Sequence, residues 1–211
     1  MTPKMALEKP APETVFVVDD DASVVRGLSR LLRANGFEVE SFASAAAFLS
    51  SDARDCVGCL LIDLRMPGMN GLELQAALRE SNCTLPVIFI SGNTDVPATV
   101  QAIRSGALDF LTKPFQEEQL LAAIRSALDR CRDAQTRRLA ALADQDRFAS
   151  LTPREKEVCL LVGSGLLNKQ IAWQLGTAEK TIKVHRARVM EKLAVVSVAE
   201  LVRLVDRLGA R

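Results

Sequence analysis

Tyrosine is absent from this 211-residue chain, and tryptophan and histidine occur once each, as Trp173 and His185. One histidine cannot supply a multi-histidine metal site. A lone tryptophan without tyrosine argues against aromatic base-stacking as the main route to a nucleic acid. The 5 cysteines are too few for a disulfide scaffold and fit a reducing cytoplasm. No apolar run approaches the ~18 residues needed to span a bilayer. Residues 1–12 carry lysines with no apolar stretch behind them, so they do not read as a secretory signal. What is present, 48% hydrophobic and 25% charged residues, is the profile of one or two globular domains.

The net charge of +1 conceals an asymmetry. Residues 15–131 hold 10 basic against 15 acidic side chains, whereas residues 151–211 hold 11 basic against 6 acidic. The last 61 residues are therefore suited to a polyanionic partner.

The first part alternates short apolar runs with helical patterns. Val15–Val18, Phe37–Phe42, Cys59–Ile62, Pro86–Ile90 and Asp109–Thr112 read as strands. Helical stretches lie between them: from about Ser23, at Ala45–Leu49, at Gly71–Ser81 and at Pro97–Ser105. This alternation predicts a parallel, doubly wound sheet with right-handed crossovers. From Gln116 to about Arg147 there is no Gly or Pro, which predicts a final helix running on into a polar helical linker.

In such a sheet, ligands bind at the carboxyl ends of the strands. Those ends carry Asp19, Asp20, Asp63, Ser91 and Lys113. Converging carboxylates need a cation or raised pKa values, and oxygen donors of this kind suit magnesium. A lysine and a hydroxyl nearby supply charge and a donor for phosphoryl oxygens. The chemistry implied is metal-assisted acceptance of a phosphoryl group by an aspartate.

Val18-Asp19-Asp20, Asp63-Leu-Arg-Met-Pro67-Gly68, Phe89-Ile-Ser91-Gly92 and Lys113-Pro114-Phe115 together resemble the receiver domain of bacterial two-component response regulators. The resemblance covers residues 14–131 and implies a five-stranded α/β sheet of order 2-1-3-4-5. It makes Asp63 the phosphoacceptor. Asp19, Asp20 and Asp63, with the backbone carbonyl of Arg65, become the magnesium ligands. Ser91 and Lys113 become the phosphoryl-binding groups, Phe110 the switch aromatic, and Lys113-Pro114 a cis peptide. It also places Arg65 and Asn93 where the lifetime of the acyl phosphate is set.

The last part is helical throughout. Thr152-Pro153-Arg154-Glu155 and Ser197-Val-Ala-Glu200 are capping boxes, and helices are expected to about Gly163, over Asn168–Leu175, over Glu179–Leu193 and from Ser197 to Gly209. The second helix, a Gly-Thr turn and a basic third helix form a helix-turn-helix signature. Residues 151–208 resemble the LuxR/FixJ-type DNA-binding domain through Leu151-Thr-Pro-Arg-Glu155, Asn168-Lys-Gln-Ile-Ala172, Glu179-Lys-Thr-Ile-Lys-Val-His185 and Met190-Glu-Lys-Leu193. The resemblance implies base-facing roles for Lys183, Val184 and Ala187, phosphate contacts for Lys169, Lys180, Thr181 and Arg188, and either contact for Arg186. Where the family has a Ser N-cap this chain has Ala178, so the helix lacks a cap unless Thr177 substitutes by a one-residue shift. Cys56-Val-Gly-Cys59 has no second pair and no nearby histidine, and reads as structural.

The domain plan expected is therefore a disordered tail over 1–13, a receiver over 14–131, a helical linker over 132–147 and an all-α, four-helix helix-turn-helix domain over 148–211. The resemblance implies a non-enzymatic, cytoplasmic transcription regulator. On the same resemblance a sensor histidine kinase is expected to phosphorylate it on Asp63 with Mg2+, after which it would form a homodimer and meet promoter DNA and RNA polymerase, with activation the expected direction. Two competing readings are a metal-dependent phosphohydrolase with Asp63 as nucleophile and a protein-binding module whose receiver is never phosphorylated. Against the first, position 65 is Arg where common aspartate phosphatases have a second acid.

Overall fold

The central strands form where the chain runs apolar and are buried on both faces, as the interior of a parallel sheet requires. The edge strands Glu38–Phe42 and Asp109–Thr112 are only partly buried. The computed structural model describes residues 13–55, 57–92 and 96–209. Its first compact unit ends at Gln135 and its second begins at Thr136.

In the first unit, β1 (Thr14–Val18), β2 (Glu38–Phe42), β3 (Gly58–Asp63), β4 (Val87–Ser91) and β5 (Asp109–Thr112) form one parallel sheet of order β2-β1-β3-β4-β5. The helices are α1 (Ala22–Ala34), α2 (Ala45–Leu49), α3 (Gly71–Glu80), α4 (Val96–Arg104) and α5 (Glu117–Ala149). Alternate strand residues point to opposite faces. Val15, Val17, Leu61 and Ile90 meet Leu28 and Leu32 of α1 and Ile124 of α5. Phe16, Val18, Ile62 and Phe89 meet Phe48 of α2, Leu74 of α3 and Ala102 of α4. Register brings Asp63 opposite Ile90 and Ser91 opposite Thr112, so the polar strand ends gather on one edge of the sheet.

The five expected strands and their helices are all present, with ends displaced by one or two residues. A 3-10 turn at Asp52–Asp55 was not anticipated. The Lys113–Pro114 peptide is cis. Of the tail, residues 1–12 lie outside the described residues, as do Asn93 and Cys56. Glu13 is described, and its carboxylate takes the Arg132 guanidinium at 2.6 Å.

Helix α5 runs unbroken through the polar stretch predicted as linker. Its last turns belong to the second unit: Asp144 Oδ2 accepts from Arg207 at 2.6 Å, and Phe148 packs on that unit's core. The second unit continues with α6 (Pro153–Gly163), α7 (Asn168–Gln174), α8 (Glu179–Lys192) and α9 (Val198–Arg207) around Val158, Val162, Ile171, Ile182, Val189, Leu201 and Leu204. Thr152 and Glu155 form the expected capping box. The second box is only half formed: Ser197 Oγ accepts the Glu200 N–H at 3.2 Å, but Glu200 Oε2 reaches the Val196 N–H instead of Ser197's. At the start of α8, Ala178 is the N-cap and no side chain caps the helix, so Thr177 does not substitute.

Candidate functional site

The acidic pocket is set by where the strands stop. Asp19 and Asp20 follow β1 directly, and Asp63 ends β3. Asp21, the third acid of the run, has a different task. It caps α1, taking the Ser23 N–H at 2.7 Å and the Ser23 hydroxyl at 2.6 Å on Oδ1. Asp19 is 4% exposed and its Oδ1 accepts the Asp21 N–H at 2.9 Å, while Asp20 is exposed to solvent.

Behind Asp63 the chain turns through Gly68, whose φ of +78° favours glycine. It enters α3 at Gly71, where a Cβ would sit 2.6 Å from the Asp63 carbonyl oxygen. Only glycine lets α3 approach the end of β3 this closely. Asn70 and Glu73 cap that helix reciprocally.

Lys113 joins the carboxylates. Its Nζ lies 3.0 Å from Asp19 Oδ2 and 3.0 Å from Asp63 Oδ1, while Asp63 Oδ2 takes the Arg65 N–H at 2.7 Å. The lysine is held from the backbone too, its N–H donating to the Ser91 carbonyl at 2.7 Å. Burial raises the Asp63 pKa, against the lowering pull of the Lys113 ammonium and the Arg65 N–H. Burial pulls the Lys113 pKa down, but hydrogen bonds to Asp19 and Asp63 outweigh it and the net shift is upward. Ser91 is 2% exposed at the end of β4, and Phe110 is half-buried on β5 with its ring 6.2 Å from that of Phe89. The structure thus brings Asp19, Asp63 and Lys113 into direct contact, and places Ser91 on the strand between β3 and β5.

Among the described residues, no three His, Cys, Asp or Glu side chains converge as a ready-made metal cluster. The donors nevertheless fit magnesium chemically: hard carboxylate oxygens, one of them on the exposed Asp20, for an ion that keeps several waters and takes one or two carboxylates. Cys59 is fully buried, and burial, then the neighbouring Cys131, push its thiol up to about 12.

The second unit presents the basic helix. Ile182 and Val189 anchor α8 in the core, and the opposite side exposes Lys180, Thr181, Lys183, Val184, Ala187 and Arg188 at helical spacing. Lys169 is exposed on α7. Arg186 stands apart: half-buried, it donates from Nη1 to Asn168 Oδ1 at 2.9 Å and ties α8 to the start of α7. The resemblance implied a base or phosphate contact for Arg186; its bond to Asn168, 18 residues away, has no local signal in the sequence. The α7 carbonyl end is closed by Arg154, whose Nη2 donates to the Leu175 carbonyl at 2.8 Å. His185 is half-buried, and its Nδ1 has no hydrogen-bond partner among the described residues. The functional contribution of Glu155 was also missed beyond its cap: its Oε2 accepts from Lys192 at 2.6 Å and locks the far end of α8 to α6.

An acidic pocket at a parallel sheet's carboxyl edge followed by a helix-turn-helix defines a class. Residues 15–125 match the response regulator receiver domain, and residues 149–205 match the bacterial regulatory proteins of the luxR family. The chain is 44% identical to Nodulation protein W of Bradyrhizobium diazoefficiens over 195 residues, covering 92% of this chain and 86% of that one. It is likewise 44% identical to Response regulator protein TodT of Pseudomonas putida over 194 residues, with the same coverage. Among solved structures it is similar to the response regulator StyR, at a TM-score of 0.83 and 48% identity over 93% of this chain and 100% of that one. It is also similar to full-length FixJ of B. japonicum, at 0.57 and 39% over 95% and 99%. The chain belongs to the two-component response regulators that carry a LuxR-type DNA-binding domain, and it is a transcription regulator. Among the described residues no helix is long and apolar enough to cross a membrane.

Proposed function

We propose that this regulator is switched by transfer of a phosphoryl group from a sensor histidine kinase to Asp63, and that the phosphorylated form pairs with a second copy and binds promoter DNA. The observation that carries this reading is the placement of Lys113 Nζ at 3.0 Å from both Asp19 and Asp63. One Asp63 oxygen attacks phosphorus as the kinase histidine leaves. The ammonium of Lys113 and the hydroxyl of Ser91 are donors for phosphoryl oxygens, where negative charge must be held. Mg2+, held by Asp19, Asp20, Asp63 and the Arg65 carbonyl, would spread the charge of the transferring group. Arg65 and Asn93 govern how fast water removes the phosphoryl group.

Ser91 and Phe110 then carry the change to α4 and β5. Val96, Val100 and Ile103 of α4 are 63%, 43% and 47% exposed, an apolar strip that supports pairing of two receivers. In the second unit, Lys183, Val184 and Ala187 address base edges. Lys169, Lys180, Thr181 and Arg188 address phosphates, and Arg186 orients α8 through Asn168 while it reaches either. We place the protein in the cytoplasm, acting with RNA polymerase as an activator, with the receiver over 14–131 and the DNA-binding domain over 148–211.

The test is chemical. Full-length protein treated with acetyl phosphate and Mg2+ is expected to gain one phosphoryl group, mapped by peptide mass spectrometry to Asp63 and absent from Asp63→Asn. Modification at another residue, or none, overturns the reading.

A further inference from the structure

Helix α1 contains no acidic residue. Its Arg26, Arg30 and Arg33 line a groove beside the outer strand β2, together with Val25, Ser29 and Ser41. This is out of keeping with its surroundings, since residues 15–131 hold 15 acidic against 10 basic side chains. The nearest acids of β2, Glu38 and Glu40, alternate away from Val39 and Ser41 onto the other face of the sheet, so no carboxylate lines the groove.

The polar groups inside it are unspent. Arg26 and Arg30 are exposed, and neither has an acidic partner among the described residues. Arg33 donates from Nη2 to the Val39 carbonyl at 3.0 Å, which fixes one guanidinium at the wall of the groove. Ser29 is only 8% exposed, yet its hydroxyl has no hydrogen-bond partner among the described residues. A hydroxyl with no partner among the described residues, on a largely buried serine beside three guanidiniums, suits an oxyanion.

We propose that the α1–β2 groove binds a small ligand through two linked phosphates, a pyrophosphate-type group. Guanidinium forks match phosphate oxygens in pairs, and the hydroxyls of Ser29 and Ser41 donate to the oxygens left over. The arginines at positions 26, 30 and 33 extend over about 10 Å of helix, longer than one phosphate. One phosphate carries about −1.5 to −2 charges at neutral pH, less than three guanidiniums supply. Two linked phosphates meet both the length and the charge. A long nucleic acid would instead run out over the acidic remainder of the domain and be repelled. The site is separate from Asp63 and Lys113 and does not rest on the phosphorylation reading.

The experiment is an amide NMR titration of the full chain with sodium pyrophosphate, without magnesium. Saturable shifts are expected at Val25–Arg33 and Ser41. The double variant Arg26→Ala/Arg30→Ala should weaken binding by about tenfold or more and Ser29→Ala by about threefold, each with an otherwise unchanged spectrum. Orthophosphate should bind about tenfold more weakly than pyrophosphate. Shifts confined to Glu179–Lys192, no loss in the double variant, or tighter binding of a short oligonucleotide than of pyrophosphate at this groove would each overturn the proposal.

Discussion

Lys113 Nζ lies 3.0 Å from Asp63 Oδ1, and the same nitrogen lies 3.0 Å from Asp19 Oδ2. One ammonium therefore keeps two carboxylates from facing each other bare. Lys113→Met removes that charge, so the Asp63 pKa, already raised by burial, is expected to climb further. Side-chain carboxyl NMR titration reads this directly. The variant should also lose about 1–2 kcal/mol of stability, below the cost for a fully buried pair because Lys113 is 26% exposed. An unchanged Asp63 titration would show that Lys113 does not control this carboxyl.

Glu155 ties acid stability to the DNA-binding unit. The Lys192 ammonium, followed by the Thr152 N–H, holds its carboxyl down to about 2, against an ordinary 4.5. A folded-state pKa below the unfolded value stabilises the fold fully above the unfolded value, and that contribution is lost as pH falls from about 4.5 to about 2. Wild type should therefore lose stability relative to Glu155→Gln across this window. Amide NMR of α6 and α8 during acid titration measures it, and parallel curves would refute the linkage.

The uncapped start of α8 is open to improvement. Ala178 is already extended, at φ −79° and ψ 145°, the conformation an N-cap needs. Ala178→Ser should accept an N–H from the first turn and stabilise the second unit by about 0.5–2 kcal/mol. Slower hydrogen exchange at Lys180 and Thr181 checks the gain; no change in either protection or unfolding midpoint would count against it.

Gln75 is 5% exposed, and its Oε1 has no partner among the described residues while its Nε2 donates to the Ala102 carbonyl at 3.3 Å. That carbonyl also accepts the Ala107 N–H at 3.0 Å, so it stays satisfied without the glutamine. Gln75→Leu should consequently be neutral or stabilising, by up to about 1 kcal/mol, in urea unfolding. A loss of comparable size would mean that the amide holds α3 to α4.

The strands were legible because β3 and β4 are buried on both faces and so appear as unbroken apolar runs such as Cys59–Ile62. The pocket was legible because strand ends converge in this topology: Asp19, Asp63, Ser91 and Lys113 need no tertiary detail to be placed at one edge. What sequence could not supply were bonds between distant residues. Arg186 to Asn168, Lys192 to Glu155 and Arg207 to Asp144 each join different helices, and spacing alone gives a cation no means of choosing solvent, DNA or a partner. The Asp52–Asp55 turn escaped notice because it has no hydrophobic period, and the Ser197 box half-formed because Glu200 found a donor one residue further back.

The most direct measurement is binding to a library of genomic fragments by full-length wild type, with and without acetyl phosphate and Mg2+, alongside Asp63→Asn treated identically. The account predicts fragments retained only by the phosphorylated wild type. Equal retention in all three samples would contradict it, separating DNA binding from the Asp63 pocket.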